Sequence, residues 1–388
     1  MNPFVYYALA AVFFVLGLAA IGGATFGKQR NRRIVLAVAG VALWAATLVL
    51  YSQAASVAPA EPEPTPTPLA EPAAPLESPT PVLEPTAVAT ATVEAVEFPA
   101  IGGRVVFHSD RDGEIDIYAM DADGSNVQRL TDTPGRDFEP HWSPDGATIV
   151  FSSERDDPEN AQLYLMNADG SDQRRLPSPM TEDQIGARWS PDGQWILFHS
   201  NPLVDGMPRF DIFKIRPDGS DLTQLTTVRG NSFMPDWSPD GERIVFASQR
   251  DGNRELYVMN ADGSDQVRLT AGGWDNSLPR WSPDGQRIVF QSNRAGSGYG
   301  LFLIDAPAGP TTDGAQESTV RMLTFPGFNH SSPGWAGSDW LFISSDRDST
   351  NLINWEIYLL KADGSEIYRV TENDDIMDRF PSWTPINP

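Results

Sequence analysis

Six acids or amides stand a few residues ahead of a Pro, Gly or turn in a recurring phrase of this sequence. They are Asp137 before Pro140, Asp183 before Gly186, Asn231 before Pro235, Asn276 before Pro279, Asn329 before Pro333 and Asp378 before Pro381. Brought to one place, three carboxylates and three amides would form a polar ring that attracts a Lys or Arg side chain, or a cation, from a partner. Phe233, Trp274 and Phe328 flank them, and aromatics among acids and amides are the composition of a recognition surface. The competing role for Asp and Asn ahead of a turn is capping of its backbone. These nine residues are the candidate binding set.

Other chemistry is poorly provided for. Of the four histidines, His108 and His199 occupy equivalent repeat positions, His141 precedes Trp142 and His330 lies in a loop, so no pair has metal-ligand spacing. A lyase built on clustered His ligands is disfavoured accordingly. There is no Gly-x-Ser-x-Gly elbow and no phosphate-cradling glycine loop. The repeats run to the end of the chain, so no hydrolase domain is expected after them. Asp121-Ala122-Asp123-Gly124-Ser125-Asn126 looks like half of a calcium loop, but its first position becomes Asn167, Arg216, Asn260 and Lys361 in other copies. A cation cannot replace a calcium ligand, so these read as turns, and only Asp110, Asp112 and Asp116 keep the residue types for a divalent ion. No catalytic residue, metal site or cofactor is assigned. Arg111, Arg155, Arg250, Arg294 and Arg347 recur in one repeat position, and Asp116, Asp211, Glu255 and Glu356 in another. A structural ion pair between the two sets is the expectation.

The elements that must position these residues come from an internal repeat. Its landmark is Trp followed usually by Ser-Pro-Asp-Gly, at Trp142, Trp189, Trp237 and Trp281, with degraded copies at Trp335 and Trp383, spaced 44 to 54 residues apart. A short apolar strand follows each landmark, as in Ile149-Val150-Phe151, and an equivalent, Val105-Val106-Phe107, precedes the first. A third strand such as Ile117-Tyr118 and a fourth around Leu130 complete the unit, and Asp-Gly pairs supply the hairpins. Four antiparallel strands at a period near 45 residues is the signature of a propeller blade. The chain joins the array on a Phe strand and leaves it on a Trp strand. The first three strands and the last one therefore make a complete sixth blade, and the termini clasp the ring. The recurring aromatics Phe107, Tyr118 and Trp142 are read as inter-blade packing.

The Trp-Ser-Pro-Asp-Gly and Asp-Ala-Asp-Gly-Ser phrases resemble the TolB-type WD40-like propeller repeat over roughly Arg104 to Pro385. The resemblance implies an all-β, six-bladed β-propeller of four-stranded antiparallel blades. It implies little about chemistry, because related propellers include protein-binding modules, peptidase accessory domains and lyases.

Ahead of the repeats, residues 4–26 and 34–51 are apolar runs close to the about 20 residues a spanning helix needs. Lys28, Arg30, Arg32 and Arg33 in the connection place it in the cytoplasm and both ends outside. Residues 1–56 are thus expected to be a transmembrane helical hairpin. The competing reading is a signal peptide cut after Ala58-Pro59-Ala60. Residues 57–101, rich in Pro, Thr, Ala and Glu, read as a disordered polyproline-type linker able to extend on the order of 100 Å. Residues 102–388 are the propeller.

The formal net charge is −24, and the four basic residues of the hairpin loop are the only charges before Glu61, so everything beyond the membrane carries −28. Such a surface repels nucleic acid and anionic lipid. No Cys is present, so there is no disulfide framework. The expectation is a non-enzymatic, membrane-anchored module on the extracytoplasmic side of the cell membrane, binding a protein, peptide or glycan. The alternative is an enzyme acting on extracellular polysaccharide with channel-mouth carboxylates. Oligomeric state is left open.

Overall fold

Each repeat folds into a four-stranded antiparallel sheet, and six such sheets are present among the described residues. The computed structural model describes residues 98–296, 298–307, 316–324, 326–349, 354–373 and 375–385, all within the unit Thr92–Pro388. The expected hairpin of 1–56 and residues 57–97 of the linker lie outside the described residues. Among those described, no helix is long and apolar enough to cross a membrane.

In chain order the inner strands are Asp137–Trp142, Gln184–Trp189, Ser232–Trp237, Asn276–Trp281, His330–Ala336 and Asp378–Thr384. The second strand of each blade carries the Ile-Val-Phe type of run, which is buried almost throughout. Buried on both faces, it packs against its neighbours on either side, which is why it reads as a continuous apolar run rather than an alternating one. The outermost strands are two or three residues long and half to fully exposed, a form that blunts an open edge.

The ring is closed by its ends. Arg104–Ser109 pairs with Asp378–Thr384, with Val105 opposite Trp383. Phe98 and Ile101, assigned to the linker by composition, pack on this closing blade, with the Phe98 ring 5.7 Å from that of Tyr368. The landmark Trp142 lies in one cluster with Val106 and Ile117 of the closing blade and with Phe151 and Tyr164 of its own. The recurring aromatics are inter-blade packing.

The inner strands share one irregularity that the landmark pattern does not announce. Each breaks register with its partner, and the residue three before Trp has positive φ: Glu139 +53°, Gly186 +71°, Met234 +56°, Leu278 +51°, Ser332 +50° and Phe380 +54°. A bulge explains the Pro that follows in five of the six copies, since Pro cannot donate to a regular ladder.

The Asp-Gly hairpins are self-capped. Asp123 accepts both the backbone N–H and the hydroxyl of Ser125, at 2.9 and 2.6 Å, and the other Asp-Gly-Ser copies repeat this. These hydrogen bonds hold the Asp123 carboxyl below its ordinary range.

Candidate functional site

Register divides the six predicted acids and amides into two sets. Asp137, Asn276 and Asp378 are the first residues of inner strands, five before Trp. Asp183, Asn231 and Asn329 stand one residue earlier, in the loops that lead into them. Successive side chains of a strand alternate faces, so the six groups expected to converge in one ring stand as two separate sets, the first engaged within its own blade and the second reaching back to a loop of the preceding blade.

In the first set Asp137 and Asp378 are fully buried. Arg155 Nη2 donates to Asp137 Oδ2 at 2.8 Å, and Arg111 Nη2 to both oxygens of Asp378 at 2.9 Å. Arg294 Nη2 donates to Asn276 Oδ1 at 3.1 Å. Each guanidinium also stacks over two rings of its blade, Arg155 over Phe151 and Tyr164 at 5.4 and 4.6 Å. In these three blades the recurring Arg thus pairs with the start of the inner strand and not, as expected, with the recurring acid of the third strand. That acid turns outward to the fourth strand: Asp116 takes Arg129 at 2.5 Å and Thr131 at 3.1 Å, and Glu356 takes Arg369 at 3.1 Å. Sequence separation hid this, because the inner strand lies beside the second only after the sheet forms.

The second set laces loops together. Asp183 accepts from the Ala161 N–H at 2.9 Å and from Asn201 at 3.1 Å. Asn231 accepts from the Phe210 N–H, and Asn329 from the Tyr299 N–H, both at 3.1 Å. Asp110, Asp112 and Asp116 have separate partners in Met377, Tyr118 and Arg129. Among the described residues no group of three His, Asp or Glu is placed to hold a metal ion.

Of the predicted aromatics, Trp274 and Phe328 are 43% and 44% exposed. Phe233 is half-buried, packed near Arg254 and His199. A further pair was missed. Leu203–Val204 and Met207–Pro208 form a small hairpin between the second and third strands of one blade, and Leu203 and Met207 are each 68% exposed. Its signal was the Asp205-Gly206 pair, whose φ values of +54° and +78° give a two-residue primed turn. Gln184 starts its inner strand opposite Ser200, and Asn276 opposite Ser292. Loops leading into inner strands and loops after second strands therefore leave the ring at the same end, and Leu203, Met207, Trp274 and Phe328 share it.

The charged residues nearest the axis were not in the predicted set. The residue before each Trp is His141, Arg188, Asp236, Arg280, Gly334 and Ser382, and together with neighbouring inner-strand residues they line a cavity of about 210 Å³. Arg188 and Arg280 are 7% and 6% exposed. Burial, and then the neighbouring Arg280, pull the Arg188 guanidinium down to about 9. Burial pushes the carboxyls of Asp236 and Glu139 up, against the pull of the arginines. Behind the bulges, His108 Nδ1 accepts the Glu139 backbone N–H at 3.1 Å. Burial brings His108 and His199 down to about 3. The signal available was a charged residue adjoining a landmark Trp, on a strand that a closed ring must bury.

A family model described as the TolB beta propeller domain matches residues 83–229 and 220–387. The chain is 36% identical over 159 residues to a protein TolB homolog of Chlorobium luteolum, an alignment covering 41% of this chain and 34% of that protein. It thus spans about a third of that relative. The crystal structure of TolB from Acinetobacter baumannii superposes with a TM-score of 0.58 at 19% identity, covering 72% of this chain and 66% of the other. An oligogalacturonate lyase in complex with manganese does so with a TM-score of 0.50 at 17% identity, covering 70% and 75%. At such identities these likenesses speak for the fold alone.

Proposed function

The chain belongs to the TolB β-propeller domain family, and we propose that its propeller is a non-enzymatic binding module for a protein or peptide. One observation carries this reading: Leu203, Met207, Trp274 and Phe328 stand exposed at the same end of the ring. Exposed apolar side chains scattered singly need no explanation, but several on one rim of a rigid scaffold mark an interaction site. Met and aromatics are the types enriched in such interfaces. Two aliphatic members favour a protein or peptide over a glycan, which would be met by rings and hydrogen-bonding groups alone. The channel-mouth acids of the enzymatic alternative, Asp137, Asp183 and Asp378, are engaged by arginines and a backbone N–H. In this proposal the N-terminal apolar runs anchor the chain and the linker carries the propeller outward from the cell membrane.

The test is photo-crosslinking in intact cells producing the full-length chain. A crosslinker placed at Met207 or Trp274 is expected to give one defined, saturable adduct, while one at Asp145, on the opposite hairpin face, gives none. Equal labelling from both faces, or none from the rim, would overturn the reading.

A further inference from the structure

Arg188 and Arg280 meet no carboxylate at ion-pair distance among the described residues. Each donates to the backbone carbonyl of the residue before it, Ala187 and Pro279, both at 2.7 Å, and the buried Nε of Arg188 has no partner. Asp236 stands between them on the intervening blade, with one oxygen held by the Trp281 backbone N–H at 2.9 Å. It and Glu139 act on the arginines only at longer range. In a chain of net charge −24, the axis is thus the place where cations outnumber carboxylates: Arg188, Arg280 and Arg379 against Glu139 and Asp236.

Two buried guanidiniums on one cavity without a carboxylate at ion-pair distance are costly, because no counter-ion repays their desolvation. Here they face a cavity of about 210 Å³ lined by all six inner strands. At about 30 Å³ for each water, that holds roughly seven waters, or one small molecule. Guanidiniums carry planar donors that match carboxylate and phosphate oxygens. We propose that the axial cavity binds a small oxyanion, a carboxylate or phosphate group clamped between Arg188 and Arg280. The site lies on the axis, uses none of the four rim residues, and stands or falls separately from the rim's partner.

The experiment is isothermal titration of the full-length chain in mild detergent with sodium malonate and, separately, with sodium phosphate, on a chloride background. Saturable binding of either anion is expected, and which one binds identifies the class. R188M and R280M should each weaken it by roughly tenfold to a hundredfold, the worth of one charge-assisted partner. D236N, which removes the opposing charge, should tighten it, and R174M on the exposed outer strand should leave it unchanged. Without anion, R188M and R280M are expected to melt no lower than the parent, since the like-charge repulsion is relieved. Absence of saturable binding, binding indifferent to both arginines, or variants that melt markedly lower without anion would overturn the proposal.

Discussion

Arg155 Nη2 lies 2.8 Å from Asp137 Oδ2, and the Asp137 side chain is fully buried. The guanidinium rests on Phe151 and Tyr164 and donates through Nε to Ser153 Oγ at 2.8 Å. The pair ties the start of an inner strand to the end of the second, so it holds the blade where the loops leave it.

Breaking that pair from the acid side should destabilise the propeller without a change in fold. Asp137→Ala leaves a buried guanidinium unpaired and is expected to cost roughly 3–5 kcal/mol. Asp137→Asn keeps the acceptor oxygen and should cost roughly 1–2 kcal/mol. Urea unfolding of the two variants checks the order, and equal midpoints for the alanine variant and the parent would show the pair to be idle.

The buried histidines make stability fall on the acid side of neutrality. His108 and His199 are brought to about 3 by burial, and His141 well below its ordinary value. Their folded values lie under the unfolded value of about 6.5, so the unfolded chain binds more protons below that pH. The stability they hold above about pH 6.5 is lost as pH falls towards 3, at up to about 1.4 kcal/mol per pH unit for each ring. Glu139 and Asp236, pushed up by burial, offset part of this as pH nears about 4. His199→Ser isolates one ring: its unfolding free energy should fall less steeply between pH 6 and 4.5, by about 1 kcal/mol per unit. An unchanged slope would mean that His199 takes up its proton in the folded protein.

Gly186 and His199 are fitted to each other. A Cβ at Gly186 would lie 2.7 Å from both Cε1 and Nδ1 of His199, and the backbone there has φ +71°. Gly186→Ala is therefore expected to cost about 1–3 kcal/mol in overpacking, plus about 1 kcal/mol for the left-handed backbone. Equivalent positions carry Ser152 and Ser344, so in a His199→Ser background the steric part should vanish and the backbone part remain. A double-mutant cycle by thermal melting measures that coupling, and additive losses would refute it.

Closure should govern cooperativity. The last inner strand pairs with Arg104–Ser109, and Trp383 Nε1 donates to Gly102 O at 3.0 Å. Removing residues 380–388 exposes the inner edge of Arg104–Ser109 and should replace one sharp calorimetric transition with a broad one at lower temperature. A parent-like melt would show that five blades suffice.

Blade number, strand order and closure were legible in the sequence because a landmark Trp and Asp-Gly turns recur, and a repeated local pattern needs no knowledge of distant contacts. Closure itself was readable because the array begins on a second strand at Val105 and ends on an inner one at Trp383. The partners of the recurring arginines were not legible, since Arg155 and Asp137 meet only when two strands pair. Nor was the register of Asp137 against Asp183: both are acids ahead of a turn, but one is five and the other six residues from its Trp, and one residue turns a side chain to the other face. The tertiary structure alone decided what faces the axis. Arg188, Asp236 and Arg280 are ordinary surface types in a chain of net charge −24, and only the closing of six blades around one line takes them out of water and sets them together.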